Sequence, residues 1–330
     1  MKIGIAGAGA IGGFLGASLA RAGQARINVL ARGETLAALR RHGWRLQQEN
    51  DGSAIPVLAS DDPAELGRQD LLIIAVKGTS LAELAPRLAP MIGPHTVILP
   101  AMNGIPWWFC LVDGPFAPFA LRSVDPDGRI AANLPVAQTL GCVVHIAAGC
   151  PAPGVVRHAF GRQLIIGDAT GGITDATRRV ADVLEQAGFD IRLAPHIRED
   201  IWFKLWGNLT MNPVSAITGA TVDRLLDDPL VRAFCTSAMH EAARVGEKIG
   251  CAIAQEPDDR HAITRQLGAF KTSMLQDVEA GRPIELDSIV GAAQEIARHF
   301  DLPTPHIDAL LGLTRLFART RGLYPEAPAA

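Results

Sequence analysis

The sequence has few cysteines and no arrangement of them that predicts a disulfide framework. Their number is odd and no CxxC spacing occurs, so we expect reduced thiols and a cytoplasmic location. The five are Cys110, Cys142, Cys150, Cys235 and Cys251. The nine histidines form no HxH or HExxH motif and no cluster with cysteine. A metal site is therefore not expected.

A strong excess of charge of one sign is also missing. The formal net charge is −3, which gives no reason to expect nucleic acid or an anionic membrane as a partner. Uninterrupted apolar runs long enough to span a membrane are absent as well. The apolar stretch after Lys2 resembles the start of a signal peptide, but six glycines between Gly4 and Gly16 interrupt it and weaken that interpretation.

The order of the apolar segments predicts an α/β protein. The chain has 330 residues, 48% of them hydrophobic, which suits two domains. Ile3–Ala6 is a β-prone run, a helix follows to Arg21, and Ile27–Ala31 is the next strand. Together they form a βαβ unit of about thirty residues. The alternation of strand and helix continues at Leu71–Val76, Ser80–Met91, Thr96–Leu99, Thr139–Ile146, Val155–His158, Gln163–Ile166, Thr174–Ala187 and Asp190–Leu193.

This alternation predicts a Rossmann-type, doubly wound parallel sheet over residues 1–195. Trp44–Gln47 and Ala54–Leu58, joined through Asn50-Asp51-Gly52, predict a hairpin inserted between the crossovers. Beyond a boundary near Ala194–His196 only helical periodicity remains, so we expect an all-helical domain over residues 196–330. The helices predicted there include Pro229–Ile249, Asp258–Ala280, Ile284–Phe300 and Thr304–Thr320.

A glycine-rich turn joins the first strand to the first helix and fits the pattern G-x-G-x-x-G. The first glycine makes a tight turn, the second lets backbone amides approach a pyrophosphate, and the third lets helix and strand pack closely. The strand before it and the helix after it favour dinucleotide binding over an ordinary glycine turn. The residues of the motif are Gly7, Ala8, Gly9, Ala10, Ile11 and Gly12.

The end of the second strand indicates which dinucleotide binds. An acidic residue there would bind the adenosine ribose of NAD, whereas arginine suits the 2′-phosphate of NADP. Arg32 occupies this place and favours NADP(H). Glu34 follows two residues later and could play the NAD part; alternatively, Arg32 is a surface charge and Glu34 a first-turn helix residue.

Lys77 and Asn103 each follow a strand of the predicted sheet. Ligands of open α/β sheets bind at the carboxyl ends of the strands, so both residues could border the nicotinamide end of the cofactor. Taken singly, each is also compatible with a solvated strand end or a turn.

Lys204, Asn208 and Asn212 are four residues apart in Ile201–Pro213, a segment otherwise rich in large apolar side chains. This spacing stacks them on one helix face. Buried ammonium and carboxamide groups need hydrogen-bonding partners, so the stripe either closes an internal polar network or faces a ligand. Reduction of a carbonyl needs a proton donor and groups that orient the substrate, which Lys204 and the two asparagines could supply.

Two further candidates lie in the helical domain. Ser273 begins a helix in the segment Thr272–Asp277, and Glu285 is flanked by apolar residues. Alternatively, Ser273 is a helix cap and Glu285 is an exposed carboxylate on a helix.

These motifs resemble those of the ketopantoate reductase (2-dehydropantoate 2-reductase) family over nearly the whole chain. The matching segments are GAGAIG at the start, VKGTS around Lys77, MNG around Asn103, PGVVRH ending at His158, IREDIWFKLWGNLTMNP and TSMLQDVEAGRPIELDSIVG. The last two are far more specific than the glycine motif. The resemblance implies an NADP-binding Rossmann domain, an all-helical C-terminal domain and an active site in the cleft between them.

The resemblance also implies roles for single residues. Lys204 would be the general acid, and Glu285 would contact the substrate hydroxyl or ketone oxygen. The other implied contacts are Asn208, Asn212 and Ser273 to the substrate, Asn103 and Lys77 at the junction of cofactor and substrate, and Arg32 to the 2′-phosphate. The expected enzyme is an NADPH-dependent 2-oxo acid reductase, with 2-dehydropantoate as the default substrate.

The sequence leaves open the substrate, catalysis itself, the oligomeric state and the role of two tryptophans. The substrate could be another branched or aromatic 2-oxo acid, and the chain could instead be a non-catalytic NADP-binding redox sensor. The apolar C-terminal helices allow a homodimer without demanding one. Trp107 and Trp108 follow Asn103-Gly104 and precede a segment, Cys110–Leu134, that is rich in Gly, Pro and Asp. These tryptophans could reshape the substrate pocket, or they could be packing that covers this segment.

Overall fold

The structure, a computed structural model, describes residues 1–47 and 54–326. The chain divides into two compact units, residues 1–103 with 128–200, and residues 104–127 with the chain from 201 onward. The division after Asp200 falls a few residues beyond the boundary expected from the sequence. The segment 104–127, which the sequence-based boundaries assign to the first domain, belongs to the second unit. Phe109 explains this, because its ring stacks on Trp202 of the second unit at 6.1 Å between centroids.

The first unit contains all the strands of the described residues. They are β1 Lys2–Ala6, β2 Arg26–Leu30, β3 Trp44–Gln47, β4 Ala54–Ile55, β5 Leu58–Ser60, β6 Leu71–Ile74, β7 Val97–Pro100, β8 Leu140–Ala152, β9 Val155–Asp168 and β10 Asp190–Leu193. Its helices are α1 Ala10–Ala22, α2 Gly33–His42, α3 Pro63–Leu66, α4 Leu81–Leu84, α5 Arg129–Asn133 and α6 Asp175–Gln186.

Five of these strands form the parallel sheet that the sequence predicts, in the order β5-β2-β1-β6-β7. β6 is buried along its whole length, as expected for a strand covered on both faces. β1 lies at the centre, with β2 and β5 on one side and β6 and β7 on the other. The chain therefore reverses its direction of travel across the sheet between β1 and β6, which is where open α/β sheets bind ligands.

The later strands do not extend this sheet as expected, but form a second one of mixed direction. β9 pairs antiparallel with β8 and parallel with β10 and β3, and β3 pairs antiparallel with β4. A parallel bridge, Ile98 to Thr139, joins the two sheets. The predicted hairpin is confirmed for β3 and β4, although its turn, Asn50-Asp51-Gly52, lies outside the described residues. Leu58 belongs instead to β5, which pairs with β2.

The small residues of α1 allow the helix to contact both sheets. A Cβ at Gly16 would lie 2.2 Å from Cη2 of Trp44 in β3 and 3.1 Å from Cγ1 of Ile5 in β1. A Cβ at Gly13 would lie 2.6 Å from Cγ2 of Val156 in β9. Side chains at these positions would push the layers apart, so glycine here is a packing requirement.

Several predicted elements have different bounds in the structure. Val155–His158 and Gln163–Ile166 are one strand, β9, which pairs with β8 through register shifts between His145 and Ala152. The helix expected over Ser80–Met91 has only α4 in α-geometry, flanked by 3₁₀ segments Gly78–Ser80 and Ala85–Met91. The second of these contains prolines, which lack the N–H that an α-helix needs.

The second unit is helical in its described residues. Its helices are α7 Ile197–Thr218, whose first turn precedes the division, α8 Val222–Asp227, α9 Pro229–Lys248, α10 Pro257–Arg265, α11 Ser273–Glu279, α12 Ala292–His299 and α13 Pro305–Arg319. The prediction of a single helix over Asp258–Ala280 is wrong. The helix is interrupted between α10 and α11, where Gly268 has a φ of +62°. None of the helices described is both long and apolar enough to cross a membrane.

The helix expected over Ile284–Phe300 begins later and contains an irregular turn. Residues Asp287–Gly291 form a turn of π-helix that leads into α12. Pro283, Ile284 and Glu285 lie before it outside regular structure. Such π-turns are rare and often lie at functional sites.

Candidate active site

The backbone segments that follow β2, β1, β6 and β7 leave the parallel sheet from one edge. The last aligned residues of these strands are Leu30, Ala6, Ile74 and Pro100, which are partners in the pairing register. The glycine motif, Arg32, Lys77 and Asn103 therefore all follow the carboxyl edge of the sheet. For Lys77 and Asn103, a position after a strand end is what the sequence predicts.

The three glycines of the motif have different packing environments. Gly7 has a φ of +102°, and a Cβ there would lie 2.8 Å from the carbonyl oxygen of Ala75. A Cβ at Gly12 would lie 1.9 Å from the carbonyl oxygen of Gly7. A Cβ at Gly9 would meet no protein atom within 4 Å. Protein packing thus requires Gly7 and Gly12, whereas Gly9 is exposed and leaves its backbone accessible to a ligand.

The N-terminus of α1 has the properties of an anion site. Gly9 is the N-cap, no side chain caps the helix, and its first turn contains no acidic residue. The first backbone N–H groups of a helix lack intrahelical partners and lie at the positive end of its dipole. This arrangement fits the pyrophosphate of a dinucleotide, the group for which the motif is known.

Arg32 is the N-cap of α2 and is exposed. Glu34, also exposed, lies in the first turn of the same helix. The position directly after β2 carries Ala31, so no carboxylate stands where the ribose of NAD is usually bound. Arg32 and Glu34 are thus the two charged side chains next to this strand end.

Lys77 and Asn103 are half-buried residues that follow β6 and β7. Lys77 is the N-cap of the 3₁₀ segment, where the N–H of Ser80 donates to its carbonyl oxygen at 2.9 Å. Asn103 precedes Gly104, which has a φ of +84°. The backbone conformation at both positions is well defined, and it determines where each side chain leaves the main chain at the edge of the sheet.

Lys204, Asn208 and Asn212 lie along one face of α7, as their spacing predicts. Lys204 and Asn208 are half-buried, and Asn212 is 5% exposed. The opposite part of the helix is anchored by Trp206, whose Nε1 donates to the carbonyl oxygen of Met239 at 2.8 Å. This bond fixes the rotation of α7 and hence the direction of its polar face.

Ser273 and Glu285 are placed by two other segments of the second unit. Ser273 is the exposed first residue of α11, and the cap of that helix is Thr272, whose hydroxyl accepts from the N–H of Leu275 at 3.2 Å. The interpretation of Ser273 as a helix cap is therefore wrong. Glu285 is 8% exposed, so the interpretation as an exposed helix carboxylate is wrong as well.

Trp107 and Trp108 are buried, at 2% and 0% exposure. Trp108 contacts Phe109, with 6.3 Å between ring centroids, and Phe109 stacks on Trp202. Burial of this kind fits the interpretation of the two rings as packing within the second unit.

The π-turn after Glu285 is a feature that the sequence does not reveal. Its Ser288 contacts Gly104: the carbonyl oxygen of Ser288 accepts from the N–H of Ile105 at 2.7 Å, and a Cβ at Gly104 would lie 2.5 Å from Oγ of Ser288. Only glycine allows this approach. In the sequence, only the glycine directly after Asn103 indicates such a close approach, and a glycine there is equally typical of a turn.

Two models of the ketopantoate reductase PanE/ApbA family match the chain. The first covers residues 3–171, and the model of the family's C-terminal domain covers residues 196–318. The chain belongs to the ketopantoate reductase family. This is a family of oxidoreductases, and both halves of the chain contribute to the match.

Individual members of the ketopantoate reductase family are similar over their full length. A 2-dehydropantoate 2-reductase of Mesorhizobium japonicum is 41% identical over 98% of this chain and 100% of its own. A solved protein from Ralstonia solanacearum MolK2, provisionally named a ketopantoate reductase, is 52% identical, with a TM-score of 0.95 over 98% of this chain and 99% of its own. These comparisons confirm the fold class of a Rossmann-type unit followed by a helical one.

The same fold also occurs in an enzyme of a different name. D-mandelate dehydrogenase, solved with NADH and anilino(oxo)acetate, has a TM-score of 0.82 and 21% identity over 98% of this chain and 100% of its own. At this identity the likeness concerns the fold alone.

Proposed function

We propose that this chain is an NADPH-dependent reductase of a 2-oxo acid, with 2-dehydropantoate as the default substrate and pantoate as its product. The observation that carries the proposal is the polar face of α7, where Lys204 and two carboxamides lie in Ile201–Pro213, a segment otherwise rich in apolar side chains. Membership of the ketopantoate reductase family supports the same reaction.

The cofactor would be held by the first unit. The N-terminus of α1 binds the pyrophosphate, and the exposed Gly9 lets it approach the backbone. Arg32 binds the 2′-phosphate by charge-assisted hydrogen bonds, which is the basis for proposing NADPH over NADH. Lys77 and Asn103 border the nicotinamide end. When bound, the nicotinamide supplies the hydride that reduces the ketone carbon.

The second unit would supply the proton and the substrate contacts. Lys204, in its ammonium form, donates a proton to the ketone oxygen as that oxygen gains negative charge. Asn208, Asn212 and Ser273 hold the substrate by hydrogen bonds, and Glu285 contacts the hydroxyl or ketone oxygen. One hydride and one proton convert the 2-oxo acid to the 2-hydroxy acid, so the reaction balances with NADP⁺ as the second product.

A substrate panel tests this proposal. Each assay contains the protein, NADPH and one acid: 2-dehydropantoate, another branched 2-oxo acid or an aromatic 2-oxo acid. Absorbance at the nicotinamide band is followed. We expect the largest kcat/KM with 2-dehydropantoate. A larger value for another acid would change the substrate and keep the reaction. Tight NADPH binding without oxidation by any acid would favour a redox sensor and overturn the proposal.

A further inference from the structure

Arg260 of α10 packs directly against α7. Its guanidinium carbon lies over the ring of Phe203, 5.2 Å from the ring centroid. A Cβ at Gly207 would lie 2.9 Å from Nε and 3.1 Å from Nη2 of Arg260. The guanidinium therefore lies on the surface of α7 over Phe203 and Gly207, and the absence of a side chain at Gly207 makes room for it.

This place on α7 adjoins the polar face. Phe203 precedes Lys204 in the chain, and Gly207 precedes Asn208. Successive residues of a helix are about 100° apart, and residues three apart are neighbours on its surface. Gly207 is thus a surface neighbour of Lys204, so the guanidinium covers helix surface next to the position of the proposed proton donor.

Among residues 1–47 and 54–326, no carboxylate forms an ion pair with the guanidinium that would explain its position. Arg265 of the same helix forms an ion pair with Asp227, and Arg282 bonds to Asp277 at 3.0 Å. Arg260 is half-buried, and in the part of the chain described, its Nε has no hydrogen-bond partner. Burial lowers the pKa of Arg260, and no carboxylate opposes that effect. A cation that is partly removed from water without a counter-charge is costly, which is typical of a site for an anionic ligand.

We infer that Arg260 binds the carboxylate of the 2-oxo acid substrate. The planar guanidinium matches a carboxylate in geometry and charge. Stacked on Phe203, it has little freedom to move and offers its remaining N–H groups at the edge of the polar face. With the carboxylate held there, the adjacent ketone oxygen comes within the reach of the Lys204 side chain. This inference rests on the proposed function, because it takes the ligand to be a 2-oxo acid.

Kinetics of matched variants test the role of Arg260. In Arg260→Met, which keeps the aliphatic packing on Phe203, and in Arg260→Gln, we expect KM for the 2-oxo acid to rise roughly 10- to 100-fold with kcat changed much less. Arg260→Lys keeps the charge but loses the planar fork, so we expect an intermediate KM. Arg265→Gln on the same helix is the control and should leave KM unchanged. An unchanged KM in all three Arg260 variants would overturn the inference.

A binding measurement separates this inference from the proposed function. Oxamate, an unreactive 2-oxo carboxylate, and oxamide, its neutral counterpart, are titrated by calorimetry into the wild type and into Arg260→Met, each saturated with NADP⁺. We expect the wild type to prefer oxamate and the variant to lose that preference. Such a result would support the carboxylate site even if the substrate panel showed no turnover. Equal affinity of the two proteins for oxamate, or no preference in the wild type, would contradict it.

Thermal unfolding of each variant controls for loss of structure. The Trp206 anchor of α7 lies on the helix whose surface Arg260 covers, so tryptophan fluorescence reports disturbance of this region. We expect the Arg260→Met melting temperature and spectrum to match those of Arg265→Gln. A KM effect that appears only together with a lowered melting temperature would assign Arg260 a packing role and overturn the inference.

Discussion

The hydroxyl of Tyr324 donates a hydrogen bond of 2.7 Å to Oδ1 of Asp287. Nearby, the N–H of Ile284 donates to the carbonyl oxygen of Leu323 at 3.1 Å. The residues that follow α13 therefore hold the stretch Ile284–Asp287 at two points, and Glu285 lies between them. Burial raises the pKa of Asp287, while the Tyr324 bond lowers it.

Removal of this hydroxyl should loosen the segment that carries Glu285. In Tyr324→Phe we expect the free energy of unfolding to fall by about 1–2 kcal/mol, because Asp287 keeps its burial and loses its donor. We also expect kcat to fall several-fold. In the double variant with Asp287→Asn, the loss of free energy of unfolding should be smaller than the sum of the losses in the two single variants. Denaturant titration and steady-state kinetics measure these effects, and additive effects would contradict the coupling.

The glycine motif gives a matched pair of substitutions. Gly12→Ala should destabilise the first unit by roughly 1–3 kcal/mol, since its Cβ would meet the carbonyl oxygen of Gly7 at 1.9 Å. Gly9→Ala should fold normally, because its Cβ meets no protein atom, but should weaken NADPH binding. Melting temperature and NADPH titration of both variants check this contrast. Normal NADPH affinity in Gly9→Ala would show that the backbone there does not approach the cofactor.

Arg32 should decide between the two nicotinamide cofactors. In Arg32→Ala we expect KM for NADPH to rise roughly 10- to 100-fold, as for the loss of charge-assisted hydrogen bonds, and KM for NADH to change little. Glu34→Gln is the matched control for a neighbouring charge and should leave the NADPH value nearly unchanged. A preference of the wild type for NADH, with a loss of activity in Glu34→Gln, would transfer the role to Glu34.

His261 of α10 should make stability depend on pH. It is 5% exposed, and its Nδ1 lies 3.8 Å from Oδ1 of Asp258, too far for a hydrogen bond. Burial lowers the pKa of His261 below the ordinary value of 6.5 and outweighs the Asp258 carboxylate, which raises it, so the unfolded chain binds the proton first. Stability from this residue is complete above about pH 6.5 and is lost as pH falls through the folded-state pKa.

The variant His261→Leu should lack this contribution to the acid side of the stability curve. Between pH 7.5 and pH 5 we expect the wild type to lose more free energy of unfolding than the variant. The difference amounts to roughly 1.4 kcal/mol for each unit by which folding lowers the pKa. Urea titrations at several pH values measure it. Parallel curves for the two proteins would contradict the assignment.

Local patterns predict much of this fold because they reflect local constraints. The motif around Gly7–Gly12 and the period of α7 each follow from neighbouring residues, so the first βαβ unit and the polar face of Lys204 were predictable. The pairing of strands that are distant in the sequence was not predictable in this way. β3 joins β9 across more than a hundred residues, with Arg45 opposite Val155, and nothing in either strand alone selects that partner.

The parts of the site that escaped prediction depend on contacts between distant segments. In the sequence Arg260 is an ordinary helix residue, and only the structure shows that its guanidinium lies over Gly207. The π-turn contains no residue that forbids an α-helix, and its geometry accompanies contacts with Gly104 and Tyr324. Similarly, the burial of Trp107 and Trp108 depends on contacts of their segment with distant residues, such as that of Phe109 with Trp202.

The central claim, that Lys204 is the proton donor of a 2-oxo acid reductase, is tested most directly by the rate of NADPH oxidation in Lys204→Met with 2-dehydropantoate. Loss of a positioned general acid typically costs 10²–10⁴-fold, so we predict a kcat lower by roughly that factor, with NADPH affinity and melting temperature unchanged. A Lys204→Met enzyme that turns over near the wild-type rate would contradict the account.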